Sequence, residues 1–405
     1  MKCAFLFYVR MLLRHMENLA REIKQSKNFI IVFVSALLLA FNFFFVYFIN
    51  SSFIETLVGK NYVSLFFAIG AFLNIVIFMN ASRILSRYGN FKLTLYLSFL
   101  EIAVLLGIGT MSTPWVLIGL FIVHQSVSPI LLYTLDIFLE KISSIESTGS
   151  IRGTYLTMMN IPTAIAPIIV GIILTKTEYW KIYFISAIFL IPFIIIMIMN
   201  FRKFEDPVYT TIPFFTSLKT FFKDINLSNI FKDNLILHFF YAIMAIYMPI
   251  HLYFDLGFNW PEIGTMFSIM LLPFILFQIP LGSIEDRKHD EKQVLVTGFL
   301  IMSIATILMS FIVEKNFILW TALLFISRIG ASFVEVSTES YFFRHISTEN
   351  ASYVSIFRMT RSVPYLVIPV ISYFAITYLG PQYLFLITGI IVFLGGLRYT
   401  FELRQ

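Results

Sequence analysis

The sequence predicts an all-α polytopic membrane protein, twelve transmembrane helices arranged as two pseudo-symmetric six-helix bundles. Three observations carry that expectation. Hydrophobic residues make up 59% of the 405-residue chain and charged residues only 13%, with a mean hydropathy of +0.85. A soluble domain carries about a quarter charged residues, so the solvent for most of this chain must be lipid. The apolar residues also fall in a ladder of segments of about 20 residues, the length a helix needs to cross the hydrocarbon core. Finally, the ladder repeats itself at half-length.

Taken in order, residues 1–27 read as an amphipathic segment on the cytoplasmic interface. Leu12, Leu13, Met16, Leu19 and Ile23 oppose Arg10, Arg14, Arg21 and Lys24; a frayed tail is the alternative. The apolar run Cys3–Val9 is too short for a cleavable signal and is followed by Arg10 and Arg14. Spans are expected near 28–50, 61–80, 92–110, 115–139, 155–175 and 180–200 in the first half. The second half offers 233–254, 262–281, 293–313, 316–342, 353–378 and 381–400. The domains expected are therefore a bundle over 28–200, a cytoplasmic linker over 201–232 and a bundle over 233–405. The linker holds Glu205-Asp206-Pro207 and an amphipathic piece around Ser217–Phe222.

Charge sets the expected orientation. With the N-terminus inside, the outer basic residues are Lys60, Lys176, Lys181 and Lys315, while Arg328 falls within a span; the rest of the 29 Lys and Arg lie on or near the cytoplasmic side. Both termini and the linker are then cytoplasmic. The net charge of +6 is accordingly read as a topology signal rather than a nucleic-acid footprint.

The repeat is visible at residue level. Ser82-Arg83-Ile84-Leu85-Ser86-Arg87 follows the second span of the first half, and Gly282-Ser283-Ile284-Glu285-Asp286-Arg287 the second span of the other. At an offset of 203, Gln125, Leu132 and Asp136 match Arg328, Glu335 and Glu339, and at an offset of 202 Ile161-Pro162 matches Val363-Pro364.

Charges inside spans are costly, from about 3 kcal/mol upward on insertion scales, and mark functional candidates. In the tenth span Arg328, Ser332, Glu335 and Glu339 share one helix face, which must meet a cavity or another helix. Arg328 lies near the midplane and would hold an anionic group, either a substrate's or that of Glu335. Glu335 is the deeper functional candidate and Glu339 nears the inner surface as a gate candidate. Gln125, Pro129, Leu132, Asp136 and Glu140 form the matching stripe in the fourth span, where interfacial snorkelling stays open for the two acids. Glu101 stands alone at mid-depth, as a proton site or as a hydrogen-bonded structural carboxyl. Asn42 and Asn74 could line the path or bond neighbouring helices. Asp286, Arg287 and Arg87 lie where the dielectric falls and charge pairs strengthen, and Gly282 allows close helix approach. With Ser86 in place of a carboxylate, Arg87 would have to latch against Asp136 or Glu140, or serve only as a topology signal.

One cysteine, Cys3, excludes an internal disulfide and thiolate clusters. His124, His238 and His251 lie on separate spans and form no metal set, and His251 reads as an interfacial residue. No metal or cofactor is expected. No nucleotide loop or nucleophile elbow is present, and no outer loop is long enough for a membrane-embedded enzyme. An enzyme is therefore not expected.

Along nearly its whole length the chain resembles the major facilitator superfamily. That family's loop between spans two and three reads Gly-x-Leu-Ala-Asp-Arg-x-Gly-Arg-Arg. Here Gly282, Asp286 and Arg287 match the C-terminal copy, while Ser82 and Ser86 depart in the N-terminal copy and Arg87 and Gly89 remain. The exporter pattern Gly-Pro-x-x-Gly-Gly survives only as Ala166-Pro167-Ile168-Ile169-Val170-Gly171, so drug–proton antiport is not implied. The resemblance implies a secondary active transporter of a small solute, a monomer in the inner or plasma membrane, working by alternating access. Substrate and coupling residues would be Arg328, Glu335, Glu101, Asn42 and Asn74. The cytoplasmic gate would draw on Arg87, Asp136, Glu140, Gly282, Asp286, Arg287 and Glu339. Proton coupling stays open. The alternatives are an uncoupled facilitator, a lipid flippase of the same fold, or a non-transporting scaffold or receptor.

Overall fold

A computed structural model describes residues 27–59, 62–142, 148–174, 178–207, 209, 213–288, 291–346, 351–380 and 382–403; the side chains at 27, 28, 148–150, 152, 283, 286–288, 351 and 377 are not part of that description. The interfacial segment expected over 1–27 thus lies almost wholly outside the described residues. Among the described residues the secondary structure is helical, without strands. Eleven helices are long and apolar enough to cross a membrane, and a bent helix pair supplies a twelfth crossing.

The first crossing is α1 (Lys27–Tyr47) continued by α2 (Asn50–Val58). The second is α3 (Val63–Met79) with α4 (Ala81–Tyr88), bent by 59°. The bend falls at Asn80, whose backbone leaves the helical region and whose amide side chain donates to the Val76 carbonyl. α4 then buries Ala81, Ser82 and Leu85 while Arg83, Ser86 and Arg87 stay exposed, as suits a helix turning out along an interface. Gly89 joins it to α5 (Asn90–Thr110) at φ 73°. A Cβ there would be strained and would also strike Asp206 Oδ2 at 2.6 Å. Asp206 instead accepts from the Asn90 amide at 2.9 Å, so the interbundle connection caps the start of α5.

The half is completed by α6 (Pro114–Ile142), α7 (Thr148–Ile173) and α8 (Tyr179–Phe201). A short amphipathic α9 (Phe214–Lys223) follows, then α10 (Ile225–Ile250), ending in a π turn at 251–255. α10 starts well before the expected 233 because the Asp224 carboxylate caps it, accepting from Asn226 and Leu227 amides at 2.9 and 3.0 Å. The remaining crossings are α11 (Trp260–Lys288), α12 (Glu291–Met309), α13 (Phe317–Arg344), the pair α14 (Ala351–Arg358) with α15 (Val363–Phe374), and α16 (Tyr383–Glu402). α11 passes its expected end, so the motif copy at Gly282 stays in one continuous helix where its partner is turned aside on α4.

Burial gives the arrangement. The third, sixth, ninth and twelfth crossings bury only 39–44% of their apolar windows, against 83% for α10. Every third helix is therefore peripheral, and exposed residues such as Leu106, Ile188, Ile304 and Leu394 give it a lipid-facing side. The inner crossings meet across a seam between the two halves. Along it α7 and α11 run close, because glycine removes the side chain at three depths. A Cβ on Gly153 would lie 2.8 Å from the Gln278 carbonyl oxygen, on Gly264 2.5 Å from that of Pro167, and on Gly171 3.0 Å from that of Trp260. Small residues at such seams let helix backbones approach in lipid. Pro167 and Gly171, the remnants of the exporter pattern, sit in this contact.

Candidate functional site

A cavity of about 200 Å³ lies between the halves. Its walls come from the inner crossings only: α1, α3, α6 and α7 on one side, α10, α11, α13 and α15 on the other. Aromatic rings form a large part of the lining, among them Phe43, Tyr47, Phe48, Tyr241, Phe274 and Tyr365. The ionisable groups on the wall are Arg328, Glu335, Arg361 and His238. A largely apolar pocket with a few polar groups is the usual form of a small-molecule site.

Arg328 and Glu335, expected to share a face, both line this cavity. They are not paired with each other. Glu335 Oε2 accepts from Gln278 Nε2 at 2.7 Å, and Gln278 Oε1 accepts from Asn160 Nδ2 at 3.0 Å, a polar bridge from α7 to α11 to α13. Arg328 is only 5% exposed, and its Nε and Nη1 find no hydrogen-bond partner among the described residues. Its guanidinium lies over the rings of Phe240 and Tyr241, at 4.8 and 5.6 Å. Stacking of this kind satisfies a face of the cation and leaves its N–H edge free.

Beyond the cavity, towards the end of the molecule where α9 lies, the halves are clamped together. Arg358, 2% exposed, donates from Nε to Asp136 Oδ2 at 2.6 Å and from Nη2 to Asp136 Oδ1 at 3.0 Å. It also donates to both oxygens of Glu339, from Nη2 at 2.8 Å and from Nη1. Asp136 belongs to α6 and Glu339 to α13, so one guanidinium ties the fourth crossing to the tenth. Arg361 Nη2 adds a contact to Glu339 at 3.6 Å. Two hydrogen bonds cross the same seam: Ser82 Oγ with Ser352 Oγ at 2.7 Å, and Ser362 Oγ donating to Asn74 Oδ1 at 2.5 Å. Past the other end of the cavity the seam is closed by ring contacts, Phe48 with Phe267 and Phe67 with Tyr365.

The remaining candidates are placed differently from one another. Asn74 sits on the seam, also donating to the Ser126 carbonyl, but not on the cavity wall. Asn42 is buried between α1 and α8, donating to the Ser186 carbonyl oxygen and Oγ. Glu101 is not alone, which corrects the sequence reading: His124 Nδ1 lies 2.5 Å from its Oε1 and Ser128 Oγ donates to it at 3.1 Å. His124 continues to Asn50 at 3.4 Å, and Asn50 Oδ1 accepts from Tyr183 OH. This network is sealed within the first half, away from the cavity. Arg87 is exposed over the Tyr88 ring at 5.5 Å, while Asp136, its expected partner, is engaged by Arg358. Glu140 is half-buried one turn beyond Asp136. Gly282 is buried within α11, whereas the side chains of Asp286 and Arg287 lie outside the described ones. Between them and Gly282, Glu285 is fully buried against Ser337. His251, expected at the interface, is buried against Trp320 and Phe385 and bonded to Asp255 at 2.9 Å.

Arg358, Arg361, Gln278 and Asn160 were not singled out from the sequence. Arg358 and Arg361 carry the one available signal: two arginines three apart, one helical turn before Pro364, at the start of an apolar span. Among the described residues no group of His, Cys, Asp and Glu is arranged to hold a metal ion.

Helix number, seam and central cavity define the class as a polytopic helical membrane protein with two bundles around one cavity. Residues 234–404 match the sequence profile of the Major Facilitator Superfamily. The crystal structure of the human organic anion transporter MFSD10 (TETRAN) is similar to this one, with a TM-score of 0.71 at 11% identity, covering 94% of this chain and 100% of that one. No curated protein sequence matches. The resemblance to that superfamily is thus visible in sequence over residues 234–404 and in fold over 94% of the chain.

Proposed function

We propose that the protein is a secondary transporter of a small solute, working by alternating access. The bundles at 28–200 and 233–405 would move as units about the cavity, with 201–232 as their cytoplasmic linker. The observation that carries this reading is the position of the Arg358 clamp, which joins the two halves at one end of a cavity built from both. Asp136, Arg358 and Glu339 form the cytoplasmic gate, with Arg361 and Glu140 beside them. Arg87, Gly282, Asp286 and Arg287 lie at the end of the second crossing of each half, on the same cytoplasmic side. Arg328 and Glu335 are the charges at the substrate site, and Glu335 or the Glu101–His124 pair is the proton site if transport is coupled. The protein works as a monomer in the inner or plasma membrane with both termini cytoplasmic. The similarity to an organic anion transporter supports a solute carrier over a scaffold.

A test independent of the substrate uses side-specific labelling. With Cys3→Ser as background, a single cysteine is placed at Ala245 on the cavity wall. Breaking the clamp with Asp136→Asn should raise its reactivity to an impermeant thiol reagent in inside-out vesicles and lower it in right-side-out cells. Reactivity unchanged from both sides would remove the alternating-access reading. Uptake into proteoliposomes with and without a proton gradient then separates a coupled carrier from a facilitator.

A further inference from the structure

We propose that the substrate is an amphipathic organic anion whose negative group is held by Arg328 and whose apolar body lies against the aromatic wall. This deepens the transport reading and rests on it.

A buried guanidinium keeps its proton, so its charge must be met by a carboxylate, a bound anion or water. No ion pair to Arg328 occurs among the described residues, and two of its nitrogens are without hydrogen-bond partners. Glu335, the nearest acid on its own helix, lies seven residues on, about 10 Å along the axis. It is held by Gln278, which Asn160 fixes in turn. Glu339 is taken up by Arg358 and Arg361, and Asp136 by Arg358. The acids that a helical stripe offers Arg328 are thus committed elsewhere. With Arg361 as a second cation on the wall and Glu335 as the one acid there, positive charge is in the majority. Such a wall favours an anionic ligand over a cationic one.

The rest of the lining sets the body of that ligand. Phe43, Tyr47, Phe48 and Phe274 come from both halves and close over the same space. Their rings reward apolar or aromatic surface, while a small hydrated anion would leave them in contact with water. Phe240 and Tyr241 hold the Arg328 guanidinium by its face, fixing its donors before the ligand arrives. A preoriented guanidinium favours a planar acceptor such as a carboxylate.

The test is thermal stability of the purified full-length protein with 2-naphthoate, 2-naphthamide, 2-naphthylmethylammonium or acetate. A ligand that binds the native state raises the melting temperature. Naphthoate should stabilise, acetate and the two other naphthalenes far less. Arg328→Gln should weaken the naphthoate response by roughly tenfold or more in apparent affinity, the scale of a lost charge-assisted hydrogen bond. Arg328→Lys should retain part of it, which guards against a variant that merely folds poorly. Equal responses to naphthoate and naphthamide, preference for the ammonium, an unchanged response in Arg328→Gln, or no response to naphthoate would each overturn the proposal. If the Ala245 cysteine still switches sides in that case, only the substrate class falls. If the switching is also absent, the transport reading falls with it.

Discussion

Two buried arginines, one turning the corner into the eleventh crossing and one in the tenth, meet opposite surroundings. Arg358 is gripped by two carboxylates from two different helices, Asp136 and Glu339, with rings of Phe343 and Phe357 at 5.3 and 5.6 Å beside it. Arg328 has rings on its face and, among the described residues, no carboxylate bonded to it. Both cations are almost wholly removed from solvent. The difference lies in what each can do with its charge. Arg358 has spent its donors on internal partners, so its worth is structural and depends on the halves being close at that end. Arg328 keeps donors in reserve, which lowers stability by itself and gives a ligand something to gain. The same side chain closes a clamp at one place and, on our proposal, receives a ligand at the other.

The largest expected effect breaks the clamp. Arg358→Gln removes the cation that Asp136 and Glu339 share, while Arg361 keeps its weaker contact to Glu339 at 3.6 Å. Removing one member of a buried ion pair costs ~3–5 kcal/mol in soluble proteins, because the remaining charge is left unpaired. The melting temperature of the purified protein should fall clearly. The triple variant Arg358→Gln, Asp136→Asn, Glu339→Gln should regain part of the loss, since no orphaned charge remains. Strictly additive losses would show that the three do not act as one unit.

The second effect has the opposite sign structure. Arg328→Gln removes a buried cation without orphaning any carboxylate, because Glu335 already bonds Gln278. Stability without ligand should change little, within about 1 kcal/mol, or rise as a desolvated charge disappears. Glu335→Gln keeps the hydrogen-bonding partner for Gln278 and should be equally mild. A double-mutant cycle in melting temperature checks both. A coupling between them comparable to that of the Arg358 clamp would mean that they pair after all and that the contrast between the two arginines is false.

Much of this was legible from sequence, and the limits have a physical cause. Helix positions depend mainly on apolar length, so the order and approximate places of the ladder could be read, while ends set by caps such as Asp224 could not. Arg328, Glu335, Asp136 and Glu339 were also visible, because a charge inside an apolar run is conspicuous by itself. Their partners were not. Arg358 reaches Asp136 across 222 positions and sits at a span start, where a basic residue equally serves topology. Glu101 looked solitary because His124, 23 residues away, is on the next crossing and only antiparallel packing aligns them. Sequence periodicity says which face a residue occupies; it does not say what the neighbouring helix brings to that face.

The smallest expected effect sharpens the comparison from outside. Arg87 carries the family motif's arginine, yet it is exposed and rests on the Tyr88 ring, while the acid it was expected to latch is held by Arg358. Exposed cation–ring contacts are weak, and a solvated arginine loses little when it is removed. Arg87→Gln should therefore leave the melting temperature unchanged within error, and it should not alter labelling of the Ala245 cysteine from either side. Ser86→Asp, which restores the motif's missing carboxylate beside it, should be tolerated as well, because Ser86 is exposed on the same face of α4. Both changes are read against Asp136→Asn in the same labelling assay. If Arg87→Gln shifted the cavity's accessibility as Asp136→Asn does, the latch would lie at the α4 turn. Arg358 would then be a tie within the closed seam and not the gate itself.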